Sequence, residues 1–328
     1  MLSRVADSIY WMSRFVERAE NYARFIDVNL LLHLDLPRPE DEQWAPMVAI
    51  TGDYEAFKEK RGEPTKENVI DFLAFDKNNP NSILSCACMA RENARTIREI
   101  IPTEMWETIN SFYHLVMDAK PDRVMRSPHK FFHDVKTASH LFSGVTMVTM
   151  THNEGWHFCR LGRLLERADK SSRILDVKYF LLLPSVHDIG TPLDMVQWSA
   201  LLRSASAFEA YRKKYGSIHP DRVVEFLVLD REFPRSVHYC LIRAEDSLHA
   251  LSGSREGTFS NRAEQECGRL RSELAYADIT QMVKSGVHEF LDGFQAKLNL
   301  VGDAIFDTFF ALRAVEIATT DFRWEHDQ

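Results

Sequence analysis

From Ser3 to about Leu34 the apolar residues Ile9, Met12, Val16, Ala19, Ala23, Ile26 and Leu30 recur with alternating steps of three and four. That spacing lines one face of an α-helix and predicts a long buried seam. Ser3 can cap this helix, and Asp35, Pro37 and Pro39 end it. At about 100° per residue, Arg14, Glu17, Asn21 and Arg24 fall on a different stripe, bordered by Glu20 and Asp27. Further along, the pattern predicts short helices over Tyr54 to Arg61, Glu67 to Phe75, Phe208 to Tyr215 and Asp221 to Leu229. Longer ones are expected after the cap candidates Ser82 and Ser236, and near Thr103 to Asp118, Lys130 to Met150, Arg262 to Val283 and Gly286 to Val315. Helical periodicity runs almost throughout and glycine is scarce, at 13 residues, so the expected class is all-α.

The polar stripe occurs twice. Arg14, Glu17, Arg18, Ala19, Arg24, Asp27 and Val28 recur 149 residues later as Arg163, Glu166, Arg167, Ala168, Arg173, Asp176 and Val177. Unrelated stretches of that length would share about one residue. With an offset of 154, Ala56, Lys60, Gly62, Val69, Phe72, Leu73, Asp76, Pro80, Ser82 and Cys86 match Ala210, Lys214, Gly216, Val223, Phe226, Leu227, Asp230, Pro234, Ser236 and Cys240. The repeated unit is therefore a half-chain, too long for a solenoid repeat. We read residues 1–150 and 151–328 as two duplicated halves packed as one pseudo-twofold helical bundle.

Composition narrows the function. The formal charge of -8 argues against nucleic acid as the main partner. Five cysteines form neither a disulfide framework nor a paired zinc motif, which suits a reducing cytoplasm. The first turns carry Asp7, Arg14 and Glu17, and no apolar run reaches the length of a membrane span, so neither export nor membrane insertion is expected.

Chemistry centres on the repeated stripe. Intrahelical pairs such as Glu20 with Arg24 are worth only a few tenths of a kcal/mol when solvated. Selection at that strength would readily exchange arginine for lysine, yet the arginines are identical between the copies. Guanidinium identity is expected where a planar fork binds a carboxylate or phosphate at two points, or holds a buried network. The stripe is therefore read as buried or pocket-facing, with a structural ion network between the halves as the competing reading. The candidate binding residues are Arg14, Arg18, Asn21, Arg24, Arg163, Arg167 and Arg173, and Glu17 and Glu166 are candidate general acids or bases. His129 with His133, and Glu154 with His157, have metal-like spacing, but a carboxylate-bridged dimetal bundle needs a second such motif and two more glutamates; no metal is expected. There is no Gly-x-Gly-x-x-Gly and no phosphate loop, and no cofactor is expected. Cys86 and Cys240 lie in apolar helical sequence as small packing residues.

The opening from Met1 to Asn21 and the segment from Gly155 to Asp169, each carrying Glu-Arg-Ala, closely resemble the bacterial alpha-E domain family over essentially the whole chain. The resemblance implies an all-helical protein with its signature on Arg14, Glu17, Arg18, Arg24, Arg163, Glu166, Arg167 and Arg173. It also implies company: a circularly permuted ATP-grasp ligase, sometimes fused to family members, a transglutaminase-like protein, and thus ATP-dependent amide-bond formation or peptide processing. This chain shows no ATP-grasp sequence, so a separate ligase is expected. The leading expectation is a cytoplasmic non-ATPase partner of such a ligase, holding an anionic peptide, amino-acid or other carboxylate substrate. The alternatives are an independent enzyme using Glu17 or Glu166, or a purely structural scaffold.

Overall fold

In a computed structural model the structure describes residues 1–35, 44–49, 51–180 and 191–311. Among these residues all regular structure is helical, with no strand. The long helix α1 (Ser3–Asp35) is followed by α2 (Ala45–Ala49), α3 (Tyr54–Arg61), α4 (Lys66–Ile70), α5 (Ile83–Thr96), α6 (Thr103–Met117), α7 (Pro121–Arg126) and α8 (Pro128–Thr149). The second long helix α9 (Glu154–Phe180) leads into α10 (Pro192–Ser204), α11 (Phe208–Tyr215), α12 (Pro220–Leu229), α13 (Val237–Ser252), α14 (Arg262–Ala275), α15 (Ile279–Ser285) and α16 (Val287–Ile305).

Helices α1 and α9 pack against each other at the centre. On one side α1 meets α5 and α8, which α6 bridges; on the other, α9 meets α13 and α16, which α14 bridges. The seam residues Ile9, Met12, Val16, Ala19, Ala23, Ile26 and Leu30 are all buried in the common core. The two central helices run side by side in the same direction. Met1 meets Glu154, Tyr10 lies beside Gly162, and Lys170 stands over the Tyr22 ring at 5.6 Å. Gly162 makes the crossing possible, because a Cβ there would lie 2.4 Å from the Tyr10 carbonyl oxygen and 2.6 Å from Ser13 Oγ.

Local chemistry sets several boundaries. Ser82 accepts a hydrogen bond from the Ser85 backbone N–H, and Ser236 from that of Tyr239, so both cap their helices. The expected helix from Glu67 to Phe75 is α4 continued by one π turn, Asp71–Phe75, with Phe72, Leu73, Ala74 and Phe75 all buried. The expected single helix from Arg262 to Val283 is broken: Asp278 accepts from the Thr280 N–H and starts α15. The last helix, expected to reach Val315, leaves α geometry at Phe306, and a π turn covers Phe306–Phe310; its expected end and the tail after Phe322 lie outside the described residues. The short α2, α7 and the longer α10 were not legible in the periodicity; α7 is isolated because Pro121 opens it and Pro128 begins the next helix. No described helix is long and apolar enough to cross a membrane.

Candidate ligand pocket beside a buried arginine and glutamate network

The polar stripes of α1 and α9 face each other. Glu17 is 2% exposed and Glu166 fully buried. Arg18 forks onto Glu166, with Nε to Oε1 at 2.6 Å and Nη2 to Oε2 at 3.0 Å. Arg167 forks onto Glu17 in the same way, at 2.8 and 2.9 Å. The adjacency of Glu and Arg follows from helix geometry. Successive residues diverge by about 100°, so on parallel neighbours one Glu-Arg dipeptide presents an acceptor and a donor to the reciprocal pair on the other helix.

Beyond this exchange the two sides differ. On the Glu166 side, Arg14 Nε donates to Glu166 Oε2 at 2.9 Å, while Lys170 Nζ lies 3.6 Å from Glu166 and 2.9 Å from Asp169. On the Glu17 side the counterpart of Arg14 is Arg163, whose buried Nε finds no acceptor among the described residues. Its place is taken by Arg235, from the loop between α12 and α13. Arg235 Nη1 lies 3.5 Å from Glu17 Oε1 and 3.1 Å from Asn21 Oδ1, and Nη2 lies 2.9 Å from Glu20 Oε2. Asn21 Nδ2 donates to the Glu17 carbonyl at 2.7 Å, and Arg24 pairs with Glu20 beside His140.

Sequence reasoning did not include Arg235. It occupies the position of Asn81 between the matched Pro80/Pro234 and Ser82/Ser236, and a search for identities between the halves passes over a difference. Asn81 has a related task, accepting from Arg18 Nη1 at 2.7 Å. His129, considered for metal, instead hydrogen-bonds Asp27 at 2.7 Å, and His288 bonds the matching Asp176 at 2.6 Å.

Electrostatics follows the geometry. Burial alone would raise Glu166, but Arg18, Arg14 and Lys170 hold it well below the ordinary carboxylate range. Glu17 is likewise driven up by burial and brought below its usual value by Arg167 and Arg235, and Glu20 is held low by Arg235, His140 and Arg24 against the same desolvation. Burial pushes the Arg163 guanidinium down, and neighbouring Arg167 adds to the effect. The Cys86 and Cys240 thiols are each pushed up to about 12 by burial, which leaves them poor nucleophiles.

A cavity of about 450 Å³ opens beside Glu166, between α1, α9, α16 and the terminal π turn. Arg14, Arg18, Lys170 and Arg173 line it, with Asn81, Asp169, Asn299 and Asp303; Tyr10, Trp11, Leu298, Phe306 and Phe310 supply apolar wall. The Arg14 guanidinium is 4.9 Å from the Trp11 ring centre, a cation–π contact that fixes its plane. Arg14 Nη1 donates to Tyr10 Oη at 3.1 Å and Arg173 Nε to Asp169 at 2.8 Å. Of the residues expected to bind ligand, Arg14, Arg18 and Arg173 meet at this cavity; Asn21, Arg24, Arg163 and Arg167 do not line it, and Glu166 stands behind the arginines.

The sequence model of a family described as a predicted alpha-helical domain with a conserved ER motif, Alpha-E, matches residues 1–310. The chain belongs to the Alpha-E family. Its ER dipeptides are Glu17-Arg18 and Glu166-Arg167, the four residues that exchange forked ion pairs at the centre of the bundle. An uncharacterized protein of Mycobacterium bovis and another of Mycobacterium tuberculosis are each 22% identical to this chain, covering 94% of it but 37% of their own length. This Alpha-E chain thus spans little more than a third of the curated relatives it matches. No solved structure matches it.

Proposed function

We propose that this Alpha-E chain is a cytoplasmic helical partner of a separate ATP-grasp amidoligase or peptide-modification system, possessing no ATPase activity of its own, and that it holds an anionic peptide or carboxylate ligand in the cavity beside Glu166. One observation carries the binding half. Arg14 Nη2 and both terminal nitrogens of Arg173 have no acceptor among the described residues, and both side chains line the cavity. Glu166 and Asp169 hold these guanidiniums in place and leave their remaining donors for a ligand's oxygens, the geometry that suits carboxylate or phosphate. The partner half rests on the resemblance.

The enzyme reading is weaker on chemical grounds. A general acid or base needs an accessible oxygen and a pKa near the working pH. Glu17 and Glu166 are buried, forked by arginines and held ionised. They serve better as anchors that position arginine. Co-purification with an ATP-grasp protein, followed by product analysis with ATP and candidate carboxylates, tests the proposal. Product requiring both proteins is the expected result. Product from this chain alone, or a ligase indifferent to it, overturns the partner role.

A further inference from the structure

The charges around the cavity are not all of one sign. Two of its carboxyl-bearing neighbours are committed: Glu166 takes Arg14 and Arg18, and Asp169 takes Lys170 and Arg173. The side chain of Asp303, on α16, makes no hydrogen bond or ion pair among the described residues. It lines the same cavity as Arg14 and Arg173 yet lies beyond 4 Å of every cation described there. Opposite charges at contact distance would pair; here they stand apart with open volume among them. Such a gap is complementary to a dipolar molecule that meets guanidinium with one end and carboxylate with the other.

The acid is also peculiar to this side of the bundle. Counted from His129 and His288, which make the same bond to Asp27 and Asp176, the position matching Asp303 on α8 is Gly144. On that side, too, Arg235 supplies from within the protein the cation that engages Glu17 and Glu20. The two sides thus differ: the carboxylates of Glu17 and Glu20 are met by cations from within the protein, while the Glu166 side opens onto a cavity with uncommitted groups of both signs. Trp11 and the half-exposed Phe306 add an apolar wall, and the volume falls in the ordinary small-molecule range.

We infer that the cavity takes a zwitterion, an amino acid or short peptide with an apolar or aromatic side chain, its carboxylate on Arg14 and Arg173 and its ammonium group on Asp303. This rests on the reading of the cavity as an anion site and narrows it. Calorimetry on the full chain at low salt and pH 7 tests it with phenylalanine, the dipeptide Gly-Phe, 3-phenylpropanoate, which lacks the amine, and phenethylamine, which lacks the carboxylate. One of the two zwitterions binds about tenfold or more tighter than 3-phenylpropanoate, as expected for one charge-assisted contact; which of them wins separates free amino acid from peptide. Asp303 is exposed, so Asp303→Asn leaves folding unchanged, and it abolishes that preference without weakening 3-phenylpropanoate binding, since the change removes a negative charge from the cavity. Equal affinity for zwitterion and desamino acid, or an equal loss of both in Asp303→Asn, overturns the inference while leaving the anion site standing. Failure of all four ligands to bind at millimolar concentration overturns both.

Discussion

Glu166→Gln removes the one negative charge that Arg14, Arg18 and Lys170 share. Glutamine keeps a carbonyl acceptor of similar shape but turns an NH2 toward guanidiniums that already donate at 2.6, 2.9 and 3.0 Å. Removing one partner of a buried pair typically costs roughly 3–5 kcal/mol, because the other charge stays desolvated. The side chains of Arg14 and Arg18 keep 18% and 14% of their exposure, so water recovers part of the loss. The lower end, about 3 kcal/mol, therefore applies. Urea unfolding of the purified chain, with a common slope for wild type and variant, measures it. The control is Asp134→Asn, whose partner Lys130 is 79% exposed; its loss should stay below about 0.5 kcal/mol. A Glu166→Gln loss no larger than that of the control would refute the claim that the inter-helix exchange is buried and structural. The pH dependence has a definite sign. Glu166 has a folded pKa below its unfolded value of about 4.3, so its contribution is complete above that pH and is lost as pH falls through the folded value. The gap between wild type and Glu166→Gln should be constant from neutrality to about pH 5 and narrow below about pH 4.

Two further outcomes follow from the asymmetry and the helix crossing. Arg14→Met should destabilise by about 2–3 kcal/mol more than Arg163→Met, since the first strips an ion pair from Glu166 and the second removes a buried guanidinium whose Nε has no acceptor; paired melting curves decide it, and equal losses would contradict the described difference between the sides. Gly162→Ala should cost at least about 1–3 kcal/mol, because its methyl would overlap the Tyr10 carbonyl and Ser13 and push α1 from α9, whereas Gly302→Ala, with open space at its Cβ position, should be neutral or slightly stabilising.

Much of this chain could be read from residue order. The three-four spacing of Ile9 through Leu30 dictated α1 and its buried seam, and the repetition of Arg14, Glu17, Arg18 and Arg24 at Arg163, Glu166, Arg167 and Arg173 marked the polar stripe as more than a solvated face. Periodicity and capping are local properties, expressed within a few residues, so Ser82 and Ser236 could be placed as caps before any packing was known. Tertiary structure decided the rest. That Arg18 serves Glu166 while Arg167 serves Glu17 depends on two helices about 150 positions apart lying parallel and in contact. That Arg235 rather than Arg163 engages Glu17, and that Asp303 lines the same cavity as Arg14 and Arg173, depends on loops and helices brought together over still longer separations. Helix periodicity says which face a residue occupies but not which neighbour it meets; identity between the halves marks what they share, whereas the cavity arises where they differ.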